Sequence, residues 1–207
     1  MANISENHEA YAADYDDQVR AYACNIADLL FGMCYAYIQP GMRLMDAGIG
    51  TGLSAELFAK AGLNVTGMDF SPAMLEICRI KEIATELIRH DLSSAPWPVE
   101  QGAYDLVICC GVMHFISDPA VIFEQARRSL RAGGWFGFTT KVCLNQSEAN
   151  LNYRPQVTGE FEIFSHSEQY LETLLRDHLF VRVKRQRCFV GEDLFYLWVV
   201  QKNNLKG

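Results

Sequence analysis

Asp46-Ala47-Gly48-Ile49-Gly50-Thr51-Gly52 is the stretch of this chain best equipped to grip a ligand. Its glycines permit a tight turn and let a ligand approach the backbone where a Cβ would stand in the way. The spacing is G-x-G-x-G. The dinucleotide fingerprint G-x-G-x-x-G would need glycine at position 53, where the chain has Leu53. Two places ahead of the first glycine stands a carboxylate, Asp46. It would repel a pyrophosphate and attract an ammonium group. The loop therefore suits a ligand that brings a cation, a nucleoside with an amino-acid tail rather than a nicotinamide dinucleotide. About twenty residues on comes a second acid, Asp69, at the position where such folds accept hydrogen bonds from ribose hydroxyls. An acid there also serves as a helix N-cap, but Ser71 already fills that role.

These residues need a frame, and the hydrophobic pattern supplies one. Val19, Tyr22, Ile26, Leu29, Leu30, Met33 and Tyr37 recur at steps of three and four and predict one amphipathic helix, ended by Pro40-Gly41. Arg43–Ala47 is a strand running into the glycine loop. Leu53, Leu57 and Ala61 share a helical face, with Gly62 as its stop. A second strand, Asn64–Met68, is closed by Asp69. Ser71-Pro72 then starts a helix to about Ile80, because a hydroxyl caps the orphan amides and proline at the first helical position sacrifices no hydrogen bond. Thr85–Arg89 is a third strand, ending at His90-Asp91, and Ala95–Gly102 is a loop. Tyr104–Cys110 is a buried fourth strand. Asp118-Pro119 opens a helix through Leu130 that Gly133-Gly134 should stop, and Trp135–Thr140 is the fifth strand. Residues 141–166 are polar without clean periodicity and are read as a loop or short lid. Ser167 starts a helix carrying Leu171, Leu174 and Leu175, and strands Phe180–Val190 and Leu194–Gln201 follow. Only a few residues join those two, so they must be antiparallel. Alternating strands and helices force right-handed crossovers. The expected fold is a single α/β domain over 1–207, doubly wound. It has a seven-stranded, mostly parallel sheet with an antiparallel last strand, in three αβα layers.

Bulk properties narrow the function. Half of the 207 residues are hydrophobic and 21% are charged, which suits one well-packed domain. The net charge of −7 disfavours a nucleic-acid partner. The one dense cationic stretch, Arg182, Lys184, Arg185 and Arg187, partly alternates with apolar residues and reads as the wet face of a strand. Seven cysteines, an odd number without a C-x-x-C pair or a zinc spacing, read as reduced structural thiols, with no metal implied. Met1–Asp17 is polar and acidic, unlike a signal or transit peptide. The longest apolar run, Leu29–Ile38, is well short of the roughly 18 residues of a membrane span. A cytoplasmic protein with no membrane partner is expected; oligomeric state is not legible.

Taken together, Asp46–Gly52, Asp69, Asp91-Leu92, Tyr104–Gly111, Leu130-Arg131-Ala132-Gly133-Gly134 and the reversed final strand resemble the class I S-adenosylmethionine-dependent methyltransferases, over about residues 40–201. The resemblance implies S-adenosylmethionine as cofactor and S-adenosylhomocysteine as product. It implies that Gly48, Gly50 and Gly52 wrap the methionine moiety, that Asp46 serves its amino group, and that Asp69 holds the ribose. Phe70 and Met74 would wall the adenine, although Met74 also suits a helix core. Asp91 would accept from the exocyclic amine, or simply cap the loop before Ser93, and the Leu92 amide would donate to a ring nitrogen. Gly111 would lie near the sulfonium. His114 follows in Gly111-Val112-Met113-His114-Phe115, either as a base for the acceptor or as a residue holding its own loop. Residues 1–38 correspond to the N-terminal helical cover of small-molecule members. Tyr11 and Tyr15, four apart, would share a face that closes over the cofactor or packs on the domain surface.

The acceptor should meet the sulfonium beneath the loops after the fourth and fifth strands. That puts Lys141, Asn145, Tyr153 and Arg154 on its wall, the two cations either facing an acidic substrate group or solvated. Nucleic-acid amino-methylating relatives carry an Asn/Asp-Pro-Pro-aromatic stretch where this chain has Cys110-Gly111-Val112-Met113, so a small-molecule substrate is favoured. A non-catalytic cofactor-binding protein and, at a greater distance, a nicotinamide oxidoreductase are the alternatives.

Overall fold

Five strands run parallel because each is followed by a crossover too long for a hairpin. They are β1 (Arg43–Ala47), β2 (Asn64–Asp69), β3 (Glu86–Arg89), β4 (Tyr104–Cys109) and β5 (Leu130–Lys141). The structure is a computed structural model that describes residues 12–143, 151–158 and 161–203. Two further strands, β6 (Tyr153–Thr158) and β7 (Phe161–His166), form a separate antiparallel hairpin. The chain then adds β8 (Phe180–Val190) and β9 (Asp193–Lys202) to the main sheet, whose order is β3-β2-β1-β4-β5-β9-β8. β9 is antiparallel to both neighbours. The seven-stranded sheet with one reversed last strand is the expected topology.

Helices cover both faces. α1 (Tyr15–Ala21), α2 (Ile26–Cys34), α3 (Glu56–Lys60) and α4 (Pro72–Ile80) precede β3, while α5 (Ala120–Ser129) and α6 (Glu168–Asp177) come later. Ile26, Leu30 and Met33 of α2, Phe58 of α3 and Leu75 of α4 pack with Leu44, Leu106, Ile108 and Leu197 on one face. Phe123 of α5 and Leu171 and Leu174 of α6 pack with Met45, Val107, Phe136 and Trp198 on the other. Cys109 belongs to one core and Cys110 to the other, as pleating requires of neighbours in a strand. Local chemistry sets the helix starts. The Ser71 hydroxyl accepts from the Met74 amide at 3.3 Å ahead of Pro72, and the Ser167 hydroxyl accepts from the Tyr170 amide at 3.2 Å. The cationic stretch lies on edge strand β8, mostly exposed, with Arg182 and Arg185 paired to Glu172 and Glu168.

Three expectations need correction. The single helix through Val19–Tyr37 is broken between Ala21 and Ile26, where Ala23 takes a left-handed φ of 48°. Tyr22, expected on the buried stripe, is 73% exposed. The break lets α1 fold away from α2 toward the glycine loop. Gly133-Gly134 does not stop a helix either. α5 ends at Ser129, and both glycines lie inside β5, in an irregularity where Tyr104 pairs with Leu130 but Leu106 with Trp135. A Cβ at Gly134 would sit 3.2 Å from the Asp105 carbonyl oxygen, so glycine allows the strand to pass. Residues 141–166 are not one loop, since they contain β6 and β7. Asn145 and Tyr11 lie outside the described residues.

Candidate active site

The glycine loop leaves β1 just after a fully buried acid, Asp46. The Ser54 hydroxyl donates to its Oδ2 at 2.5 Å, and its Oδ1 has no partner among the described residues. Burial pushes its carboxyl up to about 7; the Ser54 bond opposes the shift and the nearby Asp69 adds to it. A lone buried carboxylate oxygen is costly unless something cationic meets it. Gly48 holds φ at +87°, and a Cβ there would lie 2.3 Å from Val112 Cγ2, so the loop presses against the segment after β4. Its amide and that of Ile49 donate to the Met68 carbonyl at 2.7 and 3.1 Å.

Asp69 ends β2 and is joined to the loop. Its Oδ2 accepts from the Gly50 amide and its Oδ1 from the Ser71 amide, both at 2.9 Å. It therefore orders the turn into α4 as well as facing the crevice, while Ser71 is the actual helix cap. Phe70 is half-buried, with its carbonyl accepting from Arg89 Nε at 3.3 Å, and Met74 is buried in the first turn of α4. Asp91 is exposed, and its Oδ1 takes the Ser93 amide and hydroxyl at 2.9 and 2.7 Å. Capping of the loop is thus realised on one of its oxygens. Leu92 is buried and its carbonyl accepts from Trp97 Nε1 at 3.2 Å. Gly52, with φ at +94°, completes the loop, and Gly50 has open space where a Cβ would be.

Above this crevice α1 is tied down by residues that no sequence pattern singled out. Asp16 Oδ1 accepts from the Thr51 hydroxyl at 2.6 Å, and its Oδ2 is paired with Lys81. The Lys81 ammonium also donates to the Thr51 carbonyl at 3.0 Å. Asp16 and Lys81 are 65 residues apart, which is why periodicity and capping rules could not pair them. The latch brings Tyr15 into the site. Burial pushes its phenol up to about 12, and the acidic groups of Cys110, Cys24, Asp16 and Asp69 add to the shift.

On the other side, Gly111 follows β4 with its amide donating to the Thr139 hydroxyl at 2.8 Å. A 3-10 turn over Met113–Phe115 presents His114, half-buried, with its ring 4.1 Å from that of Phe115 and edge-on to Phe195 at 5.6 Å. Lys141 is neither a solvated cation nor open to an acidic ligand. It is 5% exposed, ion-paired to Asp193 at 2.8 Å, and it donates to Gln156 of β6 at 3.2 Å. Tyr153 is 37% exposed and Arg154 is exposed on β6. Among the described residues no cluster of His, Cys, Asp and Glu could hold a metal ion, and no helix is long and apolar enough to cross a membrane.

The glycine loop after buried Asp46, the second acid ending β2 and the histidine turn after β4 lie at the carboxyl ends of the neighbouring strands β1, β2 and β4, where open α/β sheets bind ligands. Residues 45–138 match the family model described as a methyltransferase domain. The chain resembles the class I S-adenosylmethionine-dependent methyltransferases, and the segment matched is a little under half of its length. It is similar to a ubiquinone biosynthesis O-methyltransferase of Hydrogenovibrio crunogenus, 29% identical over 77% of this chain and 75% of that one. It is also similar to a malonyl-[acyl-carrier protein] O-methyltransferase of Serratia marcescens, 28% identical over 77% of this chain and 63% of that protein. Several other curated relatives match over less than half of their own length. Among solved structures, a 1,6-didemethyltoxoflavin-N1-methyltransferase of Burkholderia thailandensis, bound to its substrate and S-adenosylhomocysteine, shares the fold. Its TM-score is 0.72 at 17% identity, over 95% of this chain and 87% of that one.

Proposed function

We propose that this chain is an S-adenosylmethionine-dependent methyltransferase that methylates an oxygen of a small-molecule acceptor, and that the crevice described above holds the cofactor. The observation that carries the reading is the orphaned Oδ1 of buried Asp46 just before the glycine loop, a fitting partner for an amino-acid ammonium. Gly48, Gly50 and Gly52 would wrap the methionine end. Asp69 would take the ribose hydroxyls, Phe70 and Met74 would wall the adenine, and Asp91 and the Leu92 amide would read its edge. Gly111 would lie beside the sulfonium, and Tyr15 would close the cover contributed by residues 1–38. When bound, the cofactor supplies a methyl group already activated by its attachment to a positively charged sulfur. The chain's own task is to bring the acceptor in line at about 3 Å and to exclude water.

His114 would accept the proton of an acceptor hydroxyl, from a turn steadied by Phe115 and Phe195. Two relatives named as O-methyltransferases favour an oxygen nucleophile. We assign the whole chain to one domain in which 141–166 is an insert on the acceptor side. An odd set of seven cysteines without a C-x-x-C pair favours a reducing, cytoplasmic setting.

The test has two parts. Calorimetry should detect S-adenosylhomocysteine binding to the wild type and none to Asp69→Ala; near-normal affinity in that variant removes the ribose assignment. S-adenosylhomocysteine formation against a panel of phenols, carboxylic acids, amines and thiols should be confined to the oxygen acceptors. Turnover of amines alone would overturn the acceptor class.

A further inference from the structure

His166, the last residue of β7, is fully buried, and its imidazole is used by nothing in the chemistry above. Its Nε2 lies 3.0 Å from the Ile116 carbonyl and 3.2 Å from the Ser117 carbonyl. Both partners are acceptors only, so Nε2 must carry the proton. Nδ1 is buried with no partner among the described residues, and a second proton there would have nothing to meet. The ring is therefore a neutral donor. Burial, the largest influence, lowers its pKa against the two carbonyl bonds and the charge of Asp118, which raise it.

The position of these carbonyls matters. Ile116 and Ser117 directly follow the 3-10 turn Met113–Phe115, and the Ile116 amide closes that turn on the Met113 carbonyl at 3.0 Å. The backbone of His166 is itself anchored to the end of β5. It bridges Val142, and its carbonyl accepts from the Cys143 amide at 3.4 Å. One residue thus joins the hairpin, the end of β5 through its backbone, and the segment after the His114 turn through its imidazole. We propose that His166 is a positioning residue for the acceptor side of the site, holding the Ile116–Ser117 backbone so that His114 is presented to the acceptor. This rests on the reading of His114 as the group facing the acceptor.

The experiment compares wild type with His166→Gln, whose amide nitrogen reaches the place of Nε2, and with His166→Asn and His166→Leu, which cannot supply that donor. In the wild type, nitrogen-15 correlation spectra of the imidazoles should show His166 as a neutral Nε2–H ring at about pH 7. With the best acceptor from the panel, His166→Leu and His166→Asn should lose about tenfold or more in kcat. KM for S-adenosylmethionine should stay within about twofold, and His166→Gln should recover most of the loss. A folded Leu or Asn variant with wild-type kcat overturns the proposal, as does a Gln variant no better than Asn. Should Leu fail to fold, the Gln and Asn pair decides. Should no acceptor on the panel turn over, the spectrum decides, because an Nδ1–H tautomer or an imidazolium at that pH excludes the staple. Failure of wild type to bind S-adenosylhomocysteine would instead defeat the cofactor reading and leave the tautomer result standing.

Discussion

Asp46 combines two roles that pull against each other. A carboxylate with a pKa raised to about 7 holds its proton more tightly in the folded chain than in the unfolded one. Its contribution to stability is therefore present in acid and is lost as pH rises through about 7. Binding an ammonium group reverses the preference, since the charged carboxylate is the form that attracts it. S-adenosylhomocysteine affinity should accordingly climb between about pH 6 and 7, with release of a fraction of a proton visible by calorimetry in buffers of different ionisation heat. Asp46→Asn should flatten that profile and weaken binding while raising the melting temperature of the free protein at neutral pH. A flat wild-type profile would show that the acid does not meet the ligand's charge. His166 has the ordinary sign for a buried imidazole. Its lowered pKa means that the neutral ring stabilises the fold above the usual histidine value and that this support fades as pH falls through the lowered one. His166→Gln should lose less stability than wild type on acidification from about pH 7 to 5, measured by urea unfolding.

Elements whose ends are fixed by nearby chemistry were legible in the sequence; elements fixed by distant contacts were not. β1 and β8 fall where the apolar pattern put them, and α4 begins at the Ser71-Pro72 signal. The break after α1 has no local signal. It serves a latch in which Asp16 meets Thr51 and Lys81, and charges that far apart in sequence leave no periodic trace. The hairpin of β6 and β7 was hidden by Pro155, which argues against a central strand but is tolerated in a two-stranded ribbon. Gly133-Gly134 resembles a helix stop and is instead what lets β5 pass Asp105. In the candidate site, the glycines and acids of the loops stood out in the sequence because such residues are scarce in strands. The residues that hold those loops, Lys81, Thr139 and His166, were not. The latch carries its own expectation. Asp16→Asn removes the ion pair and should speed S-adenosylhomocysteine release by about tenfold, followed by stopped-flow fluorescence. An unchanged release rate would separate α1 from cofactor exchange.

At the scale of the whole molecule, two apolar cores share one sheet, and the candidate site lies at the carboxyl ends of its parallel strands. Phe123 is fully buried among Phe136, Phe138 and Phe180. Phe123→Ala should cost about 3–5 kcal/mol in urea unfolding. It should leave S-adenosylhomocysteine affinity near wild type at temperatures where the variant is folded, because none of the loop contacts involves that ring. The sheet order has a further consequence for how the protein is made. β9, the latest strand in the chain, occupies an interior slot, hydrogen-bonded to β5 on one side and β8 on the other, and it carries fully buried Trp198. While a ribosome is still synthesising residues 193–202, β5 has an open edge and β8 has no sheet to join. The nascent chain must keep that edge from other polypeptides until its closing segment emerges, so the vulnerable interval for misassembly is set by translation rather than by the intrinsic speed of folding.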